Sequence, residues 1–395
     1  MNNQLLHTPE GVRDVYGTEY EQKLNTEALL HEKLFSYGYR DIQTPSFEFF
    51  DVFSNEIGTT PSKELYKFFD KEGNTLVLRP DFTPSIARCA AKYFLDENMP
   101  LRFSYLGNTF TNLSSLQGKL KETTQMGVEL IGDGSVYADA EIISMVIEAL
   151  LNAGLKEFQV SVGNVEYFKG LCEEFSFTRE MELAVREYIS NKNFFGAEEY
   201  LLNESIDKSI RDSLLKTGDL IGSVEILTQA AKIVQNNRSI AALNRLKELY
   251  QVLQAYGIEK YVSFDLGMLS KYQYYTGMIF KVFTYGVGDA IVKGGRYDSL
   301  LTQFGKNAPS IGFVIQVDDL MTALRRQHLE TFVPGRKIIL LYEEAVFQKA
   351  LKQAAMLRGN GNSVEMIVKD VQTPLSSYED FCSRSDALEL NYIKE

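Results

Sequence analysis

Apolar positions recur at helical spacing in three stretches of this chain. Leu30, Leu34 and Tyr37 fall at i, i+4 and i+7, which predicts a helix over residues 20–37 that stops at Gly38. Residues 139–153 carry a wider stripe of Ile142, Met145, Val146, Ala149 and Leu150, with Asp139 placed to cap the start and Gly154 the end. Leu243, Leu246, Tyr250 and Leu253 form a third stripe that ends at Gly257. Elsewhere the period changes to two. Phe158, Val160 and Val162 alternate with polar residues, the mark of a half-buried strand. Strand signals return at Val262, Phe264 and Leu266, and over Met278–Phe283.

These elements outline an α+β protein: a mostly antiparallel sheet flanked by helices. Residues from about 165 to 256 are rich in Glu, Lys, Leu and Ala and nearly free of strand patterning, and are expected to form a helical insertion. The chain turns at Val333-Pro334-Gly335. A strand over Lys337–Tyr342, a helix through Leu357 and a strand over Val364–Ile367 then predict a small α/β domain over residues 336–395. The main body spans residues 1–325. No internal repeat or low-complexity tract is visible.

Composition narrows the functional classes. The 395 residues are 45% hydrophobic, enough for a sizeable core. Acidic residues outnumber basic ones, 53 to 41, for a net charge of -12. That balance disfavours a nucleic-acid grip, which needs clustered Lys and Arg against phosphate. Cys89, Cys172 and Cys382 are isolated, without zinc spacing, and read as thiols in a reducing compartment. No metal site is expected. The first ten residues lack the basic and apolar regions of a signal peptide, and no apolar run approaches the roughly 20 residues of a membrane span. The expectation is a cytoplasmic protein without membrane attachment.

Four segments concentrate polar and aromatic side chains. The first is Leu78-Arg79-Pro80-Asp81-Phe82-Thr83, where a carboxylate and a hydroxyl could hold an ammonium group. An Asp beside Pro is also the usual composition of a turn. The second is a hairpin: Arg102–Gly107, a long loop over residues 108–123, then Thr124–Glu129. Gln125 and Glu129 are four apart and so share one face of a strand, either a pocket floor or a solvated surface. The third is Tyr272-Gln273-Tyr274-Tyr275-Thr276-Gly277, which taken alone reads better as a tyrosine-rich core strand. The fourth, Gly294-Gly295-Arg296-Tyr297-Asp298, is hard to explain by packing and is the most specific short motif.

In this order the segments resemble the core of histidyl-tRNA synthetase, a class II aminoacyl-tRNA synthetase. Thr8–Asp14 resembles that family's opening, and Gly38–Pro45 its motif 1, the dimer-forming helix and strand. Tyr272–Gly277 and Gly294–Leu300 resemble its two histidine-specific signatures. The resemblance implies that Asp81, Thr83 and Gln125 hold the α-ammonium of histidine. It implies that Glu129, Tyr275 and Tyr297 surround the imidazole, which offers two ring nitrogens to a carboxylate and phenols.

The departures from that family are as informative. Its motif 2 reads Phe-Arg-x-Glu; here Phe110-Thr111-Asn112-Leu113 puts Thr111 where the arginine belongs. Asp319 stands in place of the motif 3 arginine, and Ser270 in place of the arginine that opens the tyrosine segment. Guanidinium groups stabilise the phosphate charge that adenylate formation develops, and one such arginine is worth roughly 10³–10⁵ in rate. The expectation is a non-enzyme with no useful aminoacylation. Residues 336–395 resemble at best a shortened anticodon-binding domain, which again weakens tRNA binding.

A histidine pocket without an activating site is the pattern of the synthetase-like regulatory subunits of ATP phosphoribosyltransferase. Arg79-Pro80-Asp81 also resembles that family, where synthetases more often carry glutamate. The resemblance implies a short-form catalytic chain as partner, activation of the first step of histidine biosynthesis, and feedback inhibition by L-histidine, with no cofactor. It implies a homodimer through the class II core inside a larger hetero-oligomer. The loop Asn112–Thr123 is a candidate surface for the partner. Lys271 is a candidate substitute for the lost arginine at Ser270, although strand alternation points it the other way. The alternatives are a histidine-tRNA ligase with atypical ATP motifs, or another histidine-binding paralogue.

Overall fold

The stretches of period two assemble into one large sheet, and the helical stripes cover one of its faces. The computed structural model describes residues 6–53, 60–113, 119–269, 274–329, 337–385 and 387–395. The expectations placed on Ser270, Lys271, Tyr272 and Gln273 of the tyrosine segment, residues 114–118 of the long loop and Val333-Pro334-Gly335 lie outside them.

Helix α1 (Gly17–Ser36) leads into strand β1 (Arg40–Asp41). Strands β2 (Phe47–Phe49), β3 (Lys67–Phe69) and β4 (Thr75–Leu78) make a small antiparallel sheet in the order β2-β4-β3. Helix α2 (Thr83–Tyr93) precedes the predicted hairpin, β5 (Leu101–Phe110) with β6 (Glu122–Ile131). Then come α3 (Val136–Asn152) and β7 (Phe158–Asn164). The segment expected to be helical contains α4 (Val165–Glu174), α5 (Arg179–Ser190), α6 (Phe194–Asn203) and α7 (Lys208–Lys216). A short strand β8 (Ile221–Gly222) interrupts it before α8 (Glu225–Ala230) and α9 (Asn237–Tyr256). Strands β9 (Val262–Asp265), β10 (Met278–Thr284), β11 (Val292–Arg296) and β12 (Ser310–Gln316) and helix α10 (Val317–Arg326) complete this part.

Nine described strands form the main sheet, in the order β1-β5-β6-β12-β11-β10-β7-β9-β8. It is mostly antiparallel, as expected for a class II core; only β1 with β5 and β7 with β9 run parallel. Alternation sets its two faces. Met126, Val128 and Leu130 of β6, Phe280 and Val282 of β10, and Ile311, Phe313 and Ile315 of β12 point into the core. There they meet Ile142, Met145 and Val146 of α3 and Leu243, Leu246 and Leu253 of α9. Each such side chain contributes about 1.5–3 kcal/mol on full burial. The intervening residues of the same strands face the other way and carry the candidate site.

Two units are distinguished: residues 1–13 with 26–330, and residues 14–25 with 331–395. The second contains β13 (Lys337–Tyr342), α11 (Phe347–Gly359), β14 (Ser363–Val368), α12 (Leu375–Arg384) and β15 (Glu389–Ile393). Its sheet runs β14-β13-β15 with both pairings parallel, around a small core of Leu340, Ala350, Ala354, Val364 and Ile393. Among the described residues no helix is long and apolar enough to cross a membrane.

Two local expectations are corrected. Ser135, not Asp139, caps α3: its hydroxyl oxygen accepts from the Ala138 N–H at 3.2 Å. Asp139 lies in the first turn but is fully buried and binds two arginines instead. The described part of the tyrosine segment, Tyr274–Gly277, is a loop rather than a strand. Its Thr276 N–H donates to the Arg296 carbonyl at 2.9 Å, so the segment crosses the end of β11 before β10 begins. At Gly257 and Gly38 the backbone is left-handed, as their positions past helix ends require.

Candidate functional site

Glu129 sits on β6, on the face opposite the core residues Val128 and Leu130, and is only 1% exposed. A buried carboxylate needs partners. The Thr83 hydroxyl donates to its Oε1 at 2.7 Å, and the Tyr297 hydroxyl donates to its Oε2. Thr83 is the first residue of α2 and Tyr297 follows β11, so three distant segments converge on one carboxylate.

Glycines make the room. Gly312 pairs with Glu129 across β12, and a Cβ there would lie 1.9 Å from Glu129 Oε2. Gly127 lies under the Tyr105 hydroxyl, 2.5 Å from where its Cβ would be. Gly295 lies under the Tyr275 ring, 2.7 Å from its own virtual Cβ. Side chains at these three positions would collide with Glu129, Tyr105 and Tyr275 where they now stand.

Aromatic rings wall that space. Tyr105 stacks on Phe82 with centroids 4.4 Å apart, and the Arg79 guanidinium lies 4.1 Å from the Phe82 ring centroid. Arg79 itself is structural: it donates to the carbonyls of Asn108 at 2.8 Å and Thr44 at 2.9 Å. Tyr274 bridges Tyr275, at 4.5 Å, and Tyr297, at 6.0 Å. Thr276 ties this loop to the Gly-Gly-Arg-Tyr-Asp turn, because the Asp298 N–H donates to its hydroxyl at 2.8 Å.

Of the residues singled out in the sequence, the structure thus brings Thr83, Glu129 and Tyr297 into contact. Tyr275 stands over the adjoining Gly295. Asp81 accepts from the Thr83 N–H at 3.1 Å and lies close enough to raise the pKa of Glu129. Gln125 is nearly buried on the same face of β6, about 13 Å along the strand from Glu129. Thr111 follows β5, where its N–H donates to the Lys121 carbonyl at 2.8 Å. Asp319 lies in the first turn of α10. Burial pushes its carboxyl up, and the nearby Asp289 adds to that push. Tyr105, Gly127 and Gly312 were not singled out. Only strand register reveals them, since each matters through the residue opposite it.

Electrostatics set the state of the pocket. Burial pushes the Glu129 carboxyl up to about 8, outweighing the hydrogen bonds from Tyr297 and Thr83 that favour its charged form. Burial and the adjacent Glu129 hold the Tyr297 hydroxyl well above the usual phenol range, so it stays a donor. A carboxyl raised on folding stabilises the protein at low pH. That contribution is complete below the unfolded value near 4.5 and is lost as pH rises through about 8. Wild-type protein should therefore lose stability relative to a Glu129→Gln variant between pH 5 and 8, by up to about 1.4 kcal/mol per pH unit. Denaturant titrations across this range check it; parallel pH profiles would contradict it.

The pocket therefore offers a buried acid, phenols and aromatic walls, which suit a nitrogen heterocycle that can donate hydrogen bonds. Among the described residues no group of three or more His, Cys, Asp or Glu side chains could hold a metal ion. Cys89 and Cys172 are thiols that burial pushes above the ordinary range.

Known proteins resemble the chain along most of its length. The model of the histidyl-tRNA synthetase family matches residues 11–320. The ATP phosphoribosyltransferase regulatory subunit of Acetivibrio thermocellus is 42% identical over 361 residues, 91% of this chain and 86% of that one. The protein of the same description from Ruminiclostridium cellulolyticum is 40% identical over 93% of this chain and 88% of its own. A solved structure described as an ATP phosphoribosyltransferase regulatory subunit/histidyl-tRNA synthetase, from Bacillus halodurans, superposes with a TM-score of 0.88. It is 31% identical and the match covers 98% of both chains. The histidyl-tRNA synthetase of Nostoc, 18% identical, shares the fold with a TM-score of 0.80 over 96% of this chain and 89% of that one.

Proposed function

The chain belongs to the histidyl-tRNA synthetase-like family of ATP phosphoribosyltransferase regulatory subunits, and from that premise we propose that it is a non-catalytic sensor of L-histidine. In this reading it binds a short-form catalytic chain, activates it, and makes the assembly inhibitable by histidine. One observation carries the ligand assignment: Glu129, buried under Tyr297 and Thr83, with its carboxyl group standing where a side chain at position 312 would be. The imidazole lies on that carboxylate between Tyr275 and Tyr297. The α-ammonium goes to Asp81, Thr83 and Gln125.

The positions that would handle ATP support the non-catalytic half of the reading. Thr111 and Asp319 bring no guanidinium to a phosphate, and Asp319 would repel one. Ser270 likewise replaces an arginine. Histidine is thus held and not activated, no cofactor is needed, and tRNA binding is not part of the role.

Regulation follows from linkage. Histidine binds the active and inhibited assemblies with different affinity and shifts their populations. A coupling of about 1–3 kcal/mol gives effects of 5–150-fold. The chain pairs with a second copy through its class II core, and the homodimer takes its place in a hetero-oligomer with the catalytic chain. Residues 336–395 serve as a shortened counterpart of an anticodon-binding domain.

A calorimetric titration of L-histidine into the isolated chain tests this, with histidine-dependent ATP–pyrophosphate exchange measured on the same preparation. Saturable binding at one site per chain with no exchange is expected. Exchange at a synthetase's ordinary rate would make the chain a histidine-tRNA ligase, and absence of binding would empty the pocket of its assigned ligand.

A further inference from the structure

The sheet face that carries Glu129 also carries two lysines side by side. Strand register orders this face in rows. The row of Glu129 continues through Gly312, Gly295 and Ile279. The next row, two residues along, runs Tyr105, Gly127, Val314, Lys293 and Lys281. Lys281 and Lys293 are direct cross-strand partners on β10 and β11. Like charges placed directly opposite each other destabilise a sheet.

One of the two is answered within the protein. Lys293 pairs with Asp289 at 3.2 Å, and Asp289 is shared with Lys119 at 3.8 Å. Lys281 is not. Among the described residues it forms no hydrogen bond or ion pair; Asp289 and Asp265 act on it only at a distance. Asp265 has its own partner in Lys192, at 3.5 Å. Lys281 is partly withdrawn from water, and that burial, with Lys293 beside it, pushes its ammonium below the usual range. A partly buried, unpaired cation beside a like charge is unfavourable unless an anion arrives to join it.

The position of the pair identifies that anion. The Tyr275 ring over Gly295 marks the wall of the ring pocket. Lys293 is two residues along the same strand, and Lys281 is one strand across from it, about 7 Å and 5 Å away. A flexible four-carbon stem covers such a distance. The site thus has Asp81 and the protonated acid Glu129 at one end, and at the other Lys281 beside a Lys293 that Asp289 already neutralises. That polarity matches a zwitterion whose ring and ammonium lie toward the acids.

We propose that Lys281, with Lys293 held beside it by Asp289, binds the carboxylate of the amino acid whose ring rests on Glu129. This assignment rests on the reading of the pocket as a histidine site. It makes Lys281 the residue that separates the amino acid from its decarboxylated or reduced relatives.

Calorimetric titrations of L-histidine and L-histidinol, which has a hydroxymethyl group in place of the carboxylate, test it on wild-type protein and a Lys281→Met variant. Wild-type protein should bind histidine about tenfold to a hundredfold more tightly than histidinol, the worth of one charge-assisted contact. The variant should lose that preference by weakening histidine alone, with histidinol affinity unchanged. A variant that keeps the wild-type preference, or that loses both ligands equally, would overturn the role of Lys281 while leaving the pocket in place. Wild-type protein that binds neither ligand would overturn the pocket reading, and this assignment with it.

Discussion

Replacing Glu129 with alanine should leave the assembly turning over at histidine concentrations that stop the wild-type complex. The inhibition curve is expected to move by about 100-fold or more. Among the described residues Glu129 is the acid in direct contact with both Thr83 and Tyr297, and it is buried. Without it, the ring nitrogen of the ligand loses its hydrogen-bond partner in a site of low dielectric, and the Tyr297 and Thr83 hydroxyls lose their acceptor. A Glu129→Gln change retains one acceptor oxygen and the volume, so its shift should be smaller. Activity of the reconstituted complex against histidine concentration is the readout. Coincident curves for wild type and Glu129→Ala would place the sensing site elsewhere.

The second large effect concerns stability. Arg296→Ala should destabilise the chain by about 3–5 kcal/mol, seen as a lower midpoint in denaturant. Arg296 belongs to the most specific motif of the sequence, yet its guanidinium points away from the ligand space. It donates to Asp139 Oδ1 through Nε at 2.9 Å and Nη2 at 2.5 Å, and to the Asp133 carbonyl at 3.0 Å. Asp139 is fully buried, and burial pushes its carboxyl up even against two guanidiniums. Removing Arg296 leaves that buried carboxylate with Arg245 alone and frees the strand end from which Tyr297 projects. Arg245, the other partner, bonds Asp139 Oδ2 at 2.7 Å but is 29% exposed against 7% for Arg296. Arg245→Ala should therefore cost less. Equal losses for the two variants would contradict this division of roles.

The contrast between Glu129 and Asp139 shows what local sequence can and cannot encode. The helices around Leu30, Ile142 and Leu243 and the strand at Phe158 were legible because a period of 3.6 or 2 is a local property. The shared face of Gln125 and Glu129 was legible for the same reason. Asp139 was misread as a cap because a carboxylate near a helix start normally serves one. Its partners lie 106 and 157 residues away. Gly312, Gly127 and Tyr105 escaped notice because each acts through the residue opposite it across a strand pair. Register is fixed only when the whole sheet assembles. The tyrosine segment read as a strand by composition, and the loop form of its described part, Tyr274–Gly277, follows from the Thr276 bonds to the following turn. The departures at Thr111, Ser270 and Asp319 were plain in the sequence, because a missing guanidinium needs no geometry to be noticed.

The measurement that bears most directly on the central claim is the rate of a short-form ATP phosphoribosyltransferase chain, alone and with this protein, across a titration of L-histidine. A higher rate is expected when the two are combined, with its progressive loss as histidine fills the site around Glu129. An unchanged rate on mixing, or a combined rate indifferent to histidine, would contradict it.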